Sequence, residues 1–176
     1  PGNSLKALPA PDQDRVIGNL LTRLWKRPEG SHSFRHIAEM VKYWREETLR
    51  NQAAWPDQRL VEYGLQVFDE LAKPSSHDVL LATDLHAGNV LKSQRQPWLV
   101  IDPKPFVGDP AYDVTQHLFN RGIEIHSRPR DVIRDLAGLI GIATHRVELW
   151  MFARAAAEPR DRWFEDRLAL ARRLRP

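Results

Sequence analysis

The sequence predicts a mostly helical α+β fold, and three observations predict it. Apolar residues recur at three- and four-residue spacing through both ends of the chain. Between about residues 79 and 101 that spacing gives way to short apolar runs of strand length, Val79-Leu80-Leu81-Ala82, Asn89-Val90-Leu91 and Trp98-Leu99-Val100-Ile101. The order is therefore helices, two or three short strands around a polar loop, and helices again, without an internal repeat. In such an order the strand ends carry the loops, and loops on a rigid scaffold are where polar chemistry concentrates.

Taken from the start, Pro1-Gly2-Asn3-Ser4-Leu5 reads as loop and Pro9-Ala10-Pro11 as the approach to a helix, with Asp12 or a neighbour as its cap. Val16, Ile17, Leu20, Leu21, Leu24 and Trp25 form its apolar stripe, and Pro28-Glu29-Gly30-Ser31 ends it. Phe34, Ile37, Ala38, Val41 and Trp44 mark a second helix. Asp57, just after Pro56, caps a third that carries Leu60, Val61, Leu65, Phe68 and Leu71 and stops before Pro74. Beyond the strands, Asp109-Pro110 opens a helix with Val114, His117 and Leu118, and helical spacing continues over residues 132–140, 147–157 and 163–174.

Composition bounds the class. The chain has 176 residues, 42% hydrophobic and 28% charged, which suits one domain or a large half of a two-lobed protein. A chain of this length buries roughly 70% of the surface its unfolded form exposes. Cysteine is absent, which excludes a disulfide scaffold, thiolate metal sites and a cysteine nucleophile, and it fits a reducing compartment. No G-x-S-x-G elbow occurs either. No apolar run approaches the roughly 18 residues of a membrane span, and no signal-peptide pattern opens the chain. The expectation is a soluble, cytoplasmic protein with no membrane partner. Net charge is +3 with both signs interspersed, and only residues 160–175 approach a basic stripe. That stripe reads as a solvated helix face, so nucleic acid is not an expected partner.

The informative stretch runs from Leu80 through Thr83-Asp84-Leu85-His86-Ala87-Gly88-Asn89 to Val100-Ile101-Asp102-Pro103. Asp84, Asn89 and Asp102 all lie at the ends of strand-like runs. Phosphoryl transfer needs such a set: a carboxylate to take the proton of the attacking hydroxyl, and oxygen ligands to hold Mg²⁺ against phosphates. Magnesium prefers one or two carboxylates with water and phosphate to a full protein cage. Alone, Asp84 and Asn89 read equally well as side chains capping a turn; the third group, Asp102, tips the balance. Lys104 reads either as a phosphate contact or as a solvated side chain. His32 and His36 stand four apart, but no third ligand accompanies them and a zinc site is not expected.

Asp84-x-x-x-x-Asn89 followed by Asp102 resembles the catalytic and metal-binding loops of the protein-kinase-like superfamily. Within it, Asp84-Leu85-His86-Ala87-Gly88-Asn89 together with residues 100–114, from Val100-Ile101-Asp102-Pro103-Lys104 to Gly108-Asp109-Pro110-Ala111-Tyr112-Asp113-Val114, is similar to the aminoglycoside and hydroxyurea phosphotransferases, most closely the streptomycin 6-kinase group. The resemblance implies the C-terminal lobe of a protein-kinase-like fold with a short catalytic β-hairpin. It implies Asp84 as catalytic base, Asn89 and Asp102 as ligands of Mg²⁺ and the nucleotide, and ATP as phosphate donor. His86, Asp109 and Asp113 read as structural supports.

In this frame residues 1–11 follow the interlobe hinge, 12–73 form a helical part, 79–113 the catalytic and metal-binding loops, and 114–176 a helical part with the acceptor pocket. The implied acceptor is a hydroxyl of a small molecule, a cationic aminocyclitol such as streptomycin, for which Glu148, Glu158, Asp161 and Glu165 are the candidate carboxylates. A kinase for hydroxyurea or another metabolite is the alternative; a non-catalytic binding module left by loss of the N-terminal lobe is another. The pattern departs from the resemblance twice. Ala82 stands where that group usually has histidine, and no G-x-G-x-x-G or G-x-x-x-x-G-K-[ST] appears, so the expectation is that an N-terminal lobe covering the phosphates is missing and that the isolated chain is inactive.

Overall fold

The computed structural model describes residues 3–159 and 165–176. Helix α1 spans Ala10–Leu24, α2 Ile37–Arg50 and α3 Gln58–Leu71. The middle holds four three-residue strands, β1 Val79–Leu81, β2 Val90–Lys92, β3 Trp98–Val100 and β4 Phe106–Gly108. Five helices follow: α4 Pro110–Phe119, α5 Ile123–Ser127, α6 Pro129–Ile140, α7 Thr144–Ala157 and α8 Glu165–Leu174. The mostly helical α+β reading holds. No helix among the described residues is long and apolar enough to cross a membrane.

Local chemistry sets most boundaries. Asp57 caps α3 by accepting from the Leu60 N–H at 3.1 Å. Asp12 does not cap α1. That helix begins at Ala10, ahead of Pro11, with no side-chain cap; Asp12 sits inside the first turn, where the helix dipole favours a carboxylate, and pairs with Arg15 at 2.8 Å. The second helix starts later than Phe34, because extended His36 caps it through Nδ1, which accepts from the Ala38 N–H at 3.1 Å. The other ring nitrogen of His36 meets Asp78 at 2.9 Å.

The strands form two antiparallel pairs. β2 and β3 make the hairpin, in register Val90 to Val100 and Lys92 to Trp98. β1 pairs instead with β4, Val79 opposite Gly108 and Leu81 opposite Phe106. β4 and α5 are absent from the sequence expectation; three and five residues are too short to show a period. Gly108 is required by close approach, since a Cβ there would lie 2.4 Å from Ile37 Cγ2.

The core gathers on α7, which is buried all round from Met151 to Ala157. Apart from Arg154 this stretch is apolar on every side, and such a helix belongs in the interior. Its backbone comes close to α3 at Gly64, where a Cβ would stand 2.8 and 2.9 Å from the Cβ atoms of Ala156 and Ala157. Phe68, Tyr112, Trp150 and Phe152 fill the layer between α3, α4 and α7, with Trp150 edge-on to Tyr112 at 5.2 Å between centroids. Helix α4 is thus fixed against the core along one side and faces the strand loops along the other.

Candidate active site

Two buried carboxylates on α4 tie the loops to the core. Asp109 caps α4, its Oδ1 accepting from the Ala111 N–H at 3.0 Å. Its Oδ2 takes the Trp150 indole N–H at 2.8 Å and the Arg146 guanidinium at 2.6 Å. One turn on, Asp113 accepts from the backbone N–H groups of Thr83 at 2.6 Å and Ala82 at 2.9 Å, and from the Trp25 indole at 3.1 Å. Burial pushes the Asp113 carboxyl up to about 6, against the pull of those donors. The anchorage matters because Thr83 has φ 56°, a left-handed conformation strained for a β-branched residue. Asp113 grips the backbone at and before that strained residue, immediately ahead of Asp84.

Asp84 leaves this turn with both carboxylate oxygens engaged. Oδ1 accepts from Gln116 Nε2 at 2.9 Å and Oδ2 from Lys104 Nζ at 2.6 Å. Its backbone carbonyl accepts from Asn89 Nδ2 at 3.0 Å, which ties the two ends of the loop from Asp84 to Asn89 together. Asn89 closes a short 3-10 turn, Ala87–Asn89, that His86 caps by accepting from the Gly88 N–H at 3.1 Å. Burial is the main cause of the lowered His86 pKa, so the ring is held toward its neutral form. The Asn89 carbonyl accepts from the Ile101 N–H at 2.9 Å, which binds this turn to the end of β3 and to Asp102 beside it.

Asp102 also has positive φ, 51°, and its side chain is 71% exposed. Lys104 Nζ stands 3.8 Å from it while bonding Asp84, so one ammonium spans both carboxylates. The hydrogen bond to Asp84 is the first cause of the raised Lys104 pKa, followed by the charges of Asp84 and then Asp102. Both carboxylates thus favour the charged form of the ammonium. Asp84, Asn89, Asp102 and Lys104 therefore come together on the loops after β1, before β2 and after β3.

The profile described as aminoglycoside/hydroxyurea antibiotic resistance kinase matches residues 1–166. The chain belongs to that family. A streptomycin 6-kinase from Streptomyces glaucescens is 33% identical over 150 residues, covering 79% of this chain and 48% of the relative. A hydroxyurea phosphotransferase from Kitasatospora aureofaciens is 34% identical over 143 residues, covering 79% of this chain and 41% of the relative. The chain thus spans less than half the length of these two relatives. A crystal structure of a choline kinase from Cryptosporidium parvum covers 98% of this chain and 66% of its own, with a TM-score of 0.54 at 14% identity. At that identity the likeness shows the fold alone, the protein-kinase-like one.

For this kinase family member the donor set fits a magnesium ion. Asn89 commits its amide nitrogen to the Asp84 carbonyl, which leaves Oδ1 for a cation, and Asp102 offers an exposed carboxylate whose ammonium neighbour, Lys104, stands 3.8 Å away. One carboxylate and one amide oxygen suit a hard cation that keeps its water and phosphate ligands.

Each described candidate acceptor carboxylate is paired with a different arginine. Glu148 pairs with Arg130 at 3.1 Å and Glu165 with Arg172 at 3.0 Å, while Asp161 lies outside the described residues. Glu158 pairs with Arg154 at 3.0 Å and through it reaches Gln116, which bonds Asp84. Gln116, Arg154 and Trp25 are the members of this network that sequence reasoning missed. Gln116 and Arg154 follow an ordinary helical stripe with nothing in their spacing to separate them from solvated polar residues. A signal existed for Arg154: it is the single charge inside the otherwise apolar run Trp150–Ala157.

Proposed function

We propose that this chain supplies the catalytic and metal-binding half of a kinase that transfers the γ-phosphate of ATP to a hydroxyl of a small molecule. Support comes chiefly from the juxtaposition of Asp84, Asn89 and Asp102, tied by the Asn89 to Asp84 bond and the ammonium of Lys104. Asp84 acts as general base: its carboxylate aligns the acceptor hydroxyl with the γ-phosphorus and takes up the proton as the new P–O bond forms, while the bond from the γ-phosphorus to the β–γ bridging oxygen breaks and ADP leaves with that oxygen. Asn89 and Asp102 hold Mg²⁺, whose charge offsets that of the phosphates. Lys104 leaves Asp84 for phosphate oxygens when the nucleotide enters, which exposes Oδ2 to the hydroxyl. Rate comes from positioning and charge, without a covalent enzyme intermediate.

The substrate reading follows the relatives: streptomycin or another aminocyclitol antibiotic, with hydroxyurea second, and hence a role in antibiotic resistance in the cytoplasm. Among the candidate carboxylates, Glu158 is the proposed contact for a cationic group of the acceptor, because it joins the network that ends on Asp84. The nucleotide's phosphates are proposed to be covered by a lobe in the part of the relatives that this chain does not span.

A coupled ADP-release assay of the complete protein, with Mg²⁺-ATP and streptomycin, other aminoglycosides, hydroxyurea or no acceptor, tests this reading. Acceptor-dependent turnover that Asp84→Ala abolishes is expected, and the 176-residue chain alone is expected to turn over slowly or not at all. Equal rates for wild type and Asp84→Ala would sink the mechanism.

A further inference from the structure

Arg154 sits inside the core helix α7 with only 4% of its surface exposed. Burying a guanidinium is costly unless its donors are used, and here they are used. Nη1 donates to Thr115 Oγ1 at 2.6 Å and Nη2 to Gln116 Oε1 at 2.9 Å. Nε and Nη2 also donate to the two oxygens of Glu158, at 3.2 and 3.0 Å. The group is further enclosed by the rings of Tyr112 and Phe119, each centroid 4.9 Å away, and Trp44 at 5.7 Å.

The consequence falls on Gln116. An arginine has donors and no acceptor, so the end of the Gln116 amide that meets it must be the oxygen. The amide nitrogen then faces the other way, toward Asp84 Oδ1 at 2.9 Å, and an ionised carboxylate only accepts. Both neighbours demand the same orientation, so this amide cannot flip without meeting a like group at each end.

We propose that Gln116, oriented by Arg154, is the positioning residue of the general base: it holds Asp84 Oδ1 so that Oδ2 alone is presented to the acceptor hydroxyl. This rests on the reading of Asp84 as base. Oδ2 is the oxygen bonded to Lys104, on the side of Asp102, where the phosphate is to be held. Gln116 touches neither substrate nor metal in this scheme. It acts through Asp84, and the aromatic enclosure of Arg154 carries the rigidity of the core helix to that carboxylate.

The test uses the complete protein and four variants. Gln116→Met keeps the length of the side chain and removes both polar ends. Gln116→Glu keeps an oxygen for Arg154 but turns a carboxylate toward Asp84. A merely structural role, satisfying Arg154, would leave Gln116→Glu as stable and as active as wild type. The proposal expects both variants to lose about 10- to 100-fold in kcat, with KM for ATP and for the acceptor changed less than about twofold. In a crystal structure of the Gln116→Met chain, the Asp84 carboxylate is expected to rotate away from its present orientation.

Asp84→Asn separates the two readings. If it retains turnover, the base assignment fails. If it is inactive while Gln116→Met and Gln116→Glu both keep wild-type kcat, the base stands and the positioning role is overturned. Arg154→Lys has a charge but no fork, and is expected to lower kcat as Gln116→Met does. Should Gln116→Met fail to fold, the Gln116→Glu comparison decides alone, because that variant preserves the bond Arg154 needs.

Discussion

The helical body around α7 and the loop end around Asp84 are built on opposite principles. The body is apolar, closely approached and regular, with Phe68, Trp150 and Phe152 fully buried and α3 touching α7 at Gly64. The loop end has three-residue strands, two non-glycine residues with positive φ and a cluster of charges. Helix α4 joins them through two carboxylates one turn apart. Asp109 faces α7 through Trp150 and Arg146, and Asp113 faces the loop through Ala82 and Thr83. The lesson is that the loop's geometry is not its own: strain at Thr83 persists because a core-anchored helix over-determines it.

The strongest way to break this contrast is to damage the body. Trp150→Ala is expected to cost about 3–5 kcal/mol in urea unfolding, since it empties the centre of the core and also removes a donor from Asp109. If the loop depends on α4 as described, turnover falls as well. Full activity at temperatures where the variant stays folded would show that the two regions are independent.

Asp113→Asn strikes the joint itself. At pH 7 it is expected to cost about 1–3 kcal/mol, because an amide nitrogen now meets backbone N–H groups of Ala82 and Thr83. The pH dependence has a definite sign. With the folded carboxyl at about 6 and the unfolded one at 3.8, the folded chain holds a proton that the unfolded chain releases between those values. This group therefore makes stability fall as pH rises from about 4 to about 6 and adds no slope above that. The variant lacks the term, so its deficit relative to wild type is expected to be larger at pH 4 than at pH 7, by up to about 3 kcal/mol. A deficit that does not change with pH would mean that burial does not hold Asp113 protonated. Gly64→Ala should cost about 1–3 kcal/mol from overpacking against Ala156 and Ala157, and should leave KM unchanged.

Much of both regions is legible in the sequence, for different reasons. The body is legible because α3 and α6 repeat an apolar stripe, and because Asp57 and Asp109 precede their helices as caps do. The nearness of Asp84, Asn89 and Asp102, the proposed base and metal ligands, is legible through their spacing at the ends of strand-length apolar runs. What spacing does not show is pairing. β1 joins β4, whose three residues carry no alternation, and the hairpin leaves it aside. Gln116 and Arg154 lie 38 residues apart on two helices, and only their packing makes one orient the other.

The finest test of the contrast is Asp102→Gly. Asp102 has φ 51°, an exposed side chain and a lysine 3.8 Å away as its partner. Glycine relieves the left-handed backbone, worth roughly 1 kcal/mol or less for an aspartate, which tolerates that region better than most residues. It also gives the unfolded chain more freedom, which works against folding by about the same amount. The two nearly cancel, so the unfolding midpoint is expected to move by less than about 1 kcal/mol equivalent. Turnover of the complete protein is expected to disappear, and adding excess Mg²⁺ should not restore it. A residue that spends backbone strain while contributing nothing measurable to the fold is held there for something other than stability. If Asp102→Gly instead unfolds the chain, the carboxylate is structural and the metal role assigned to it is wrong.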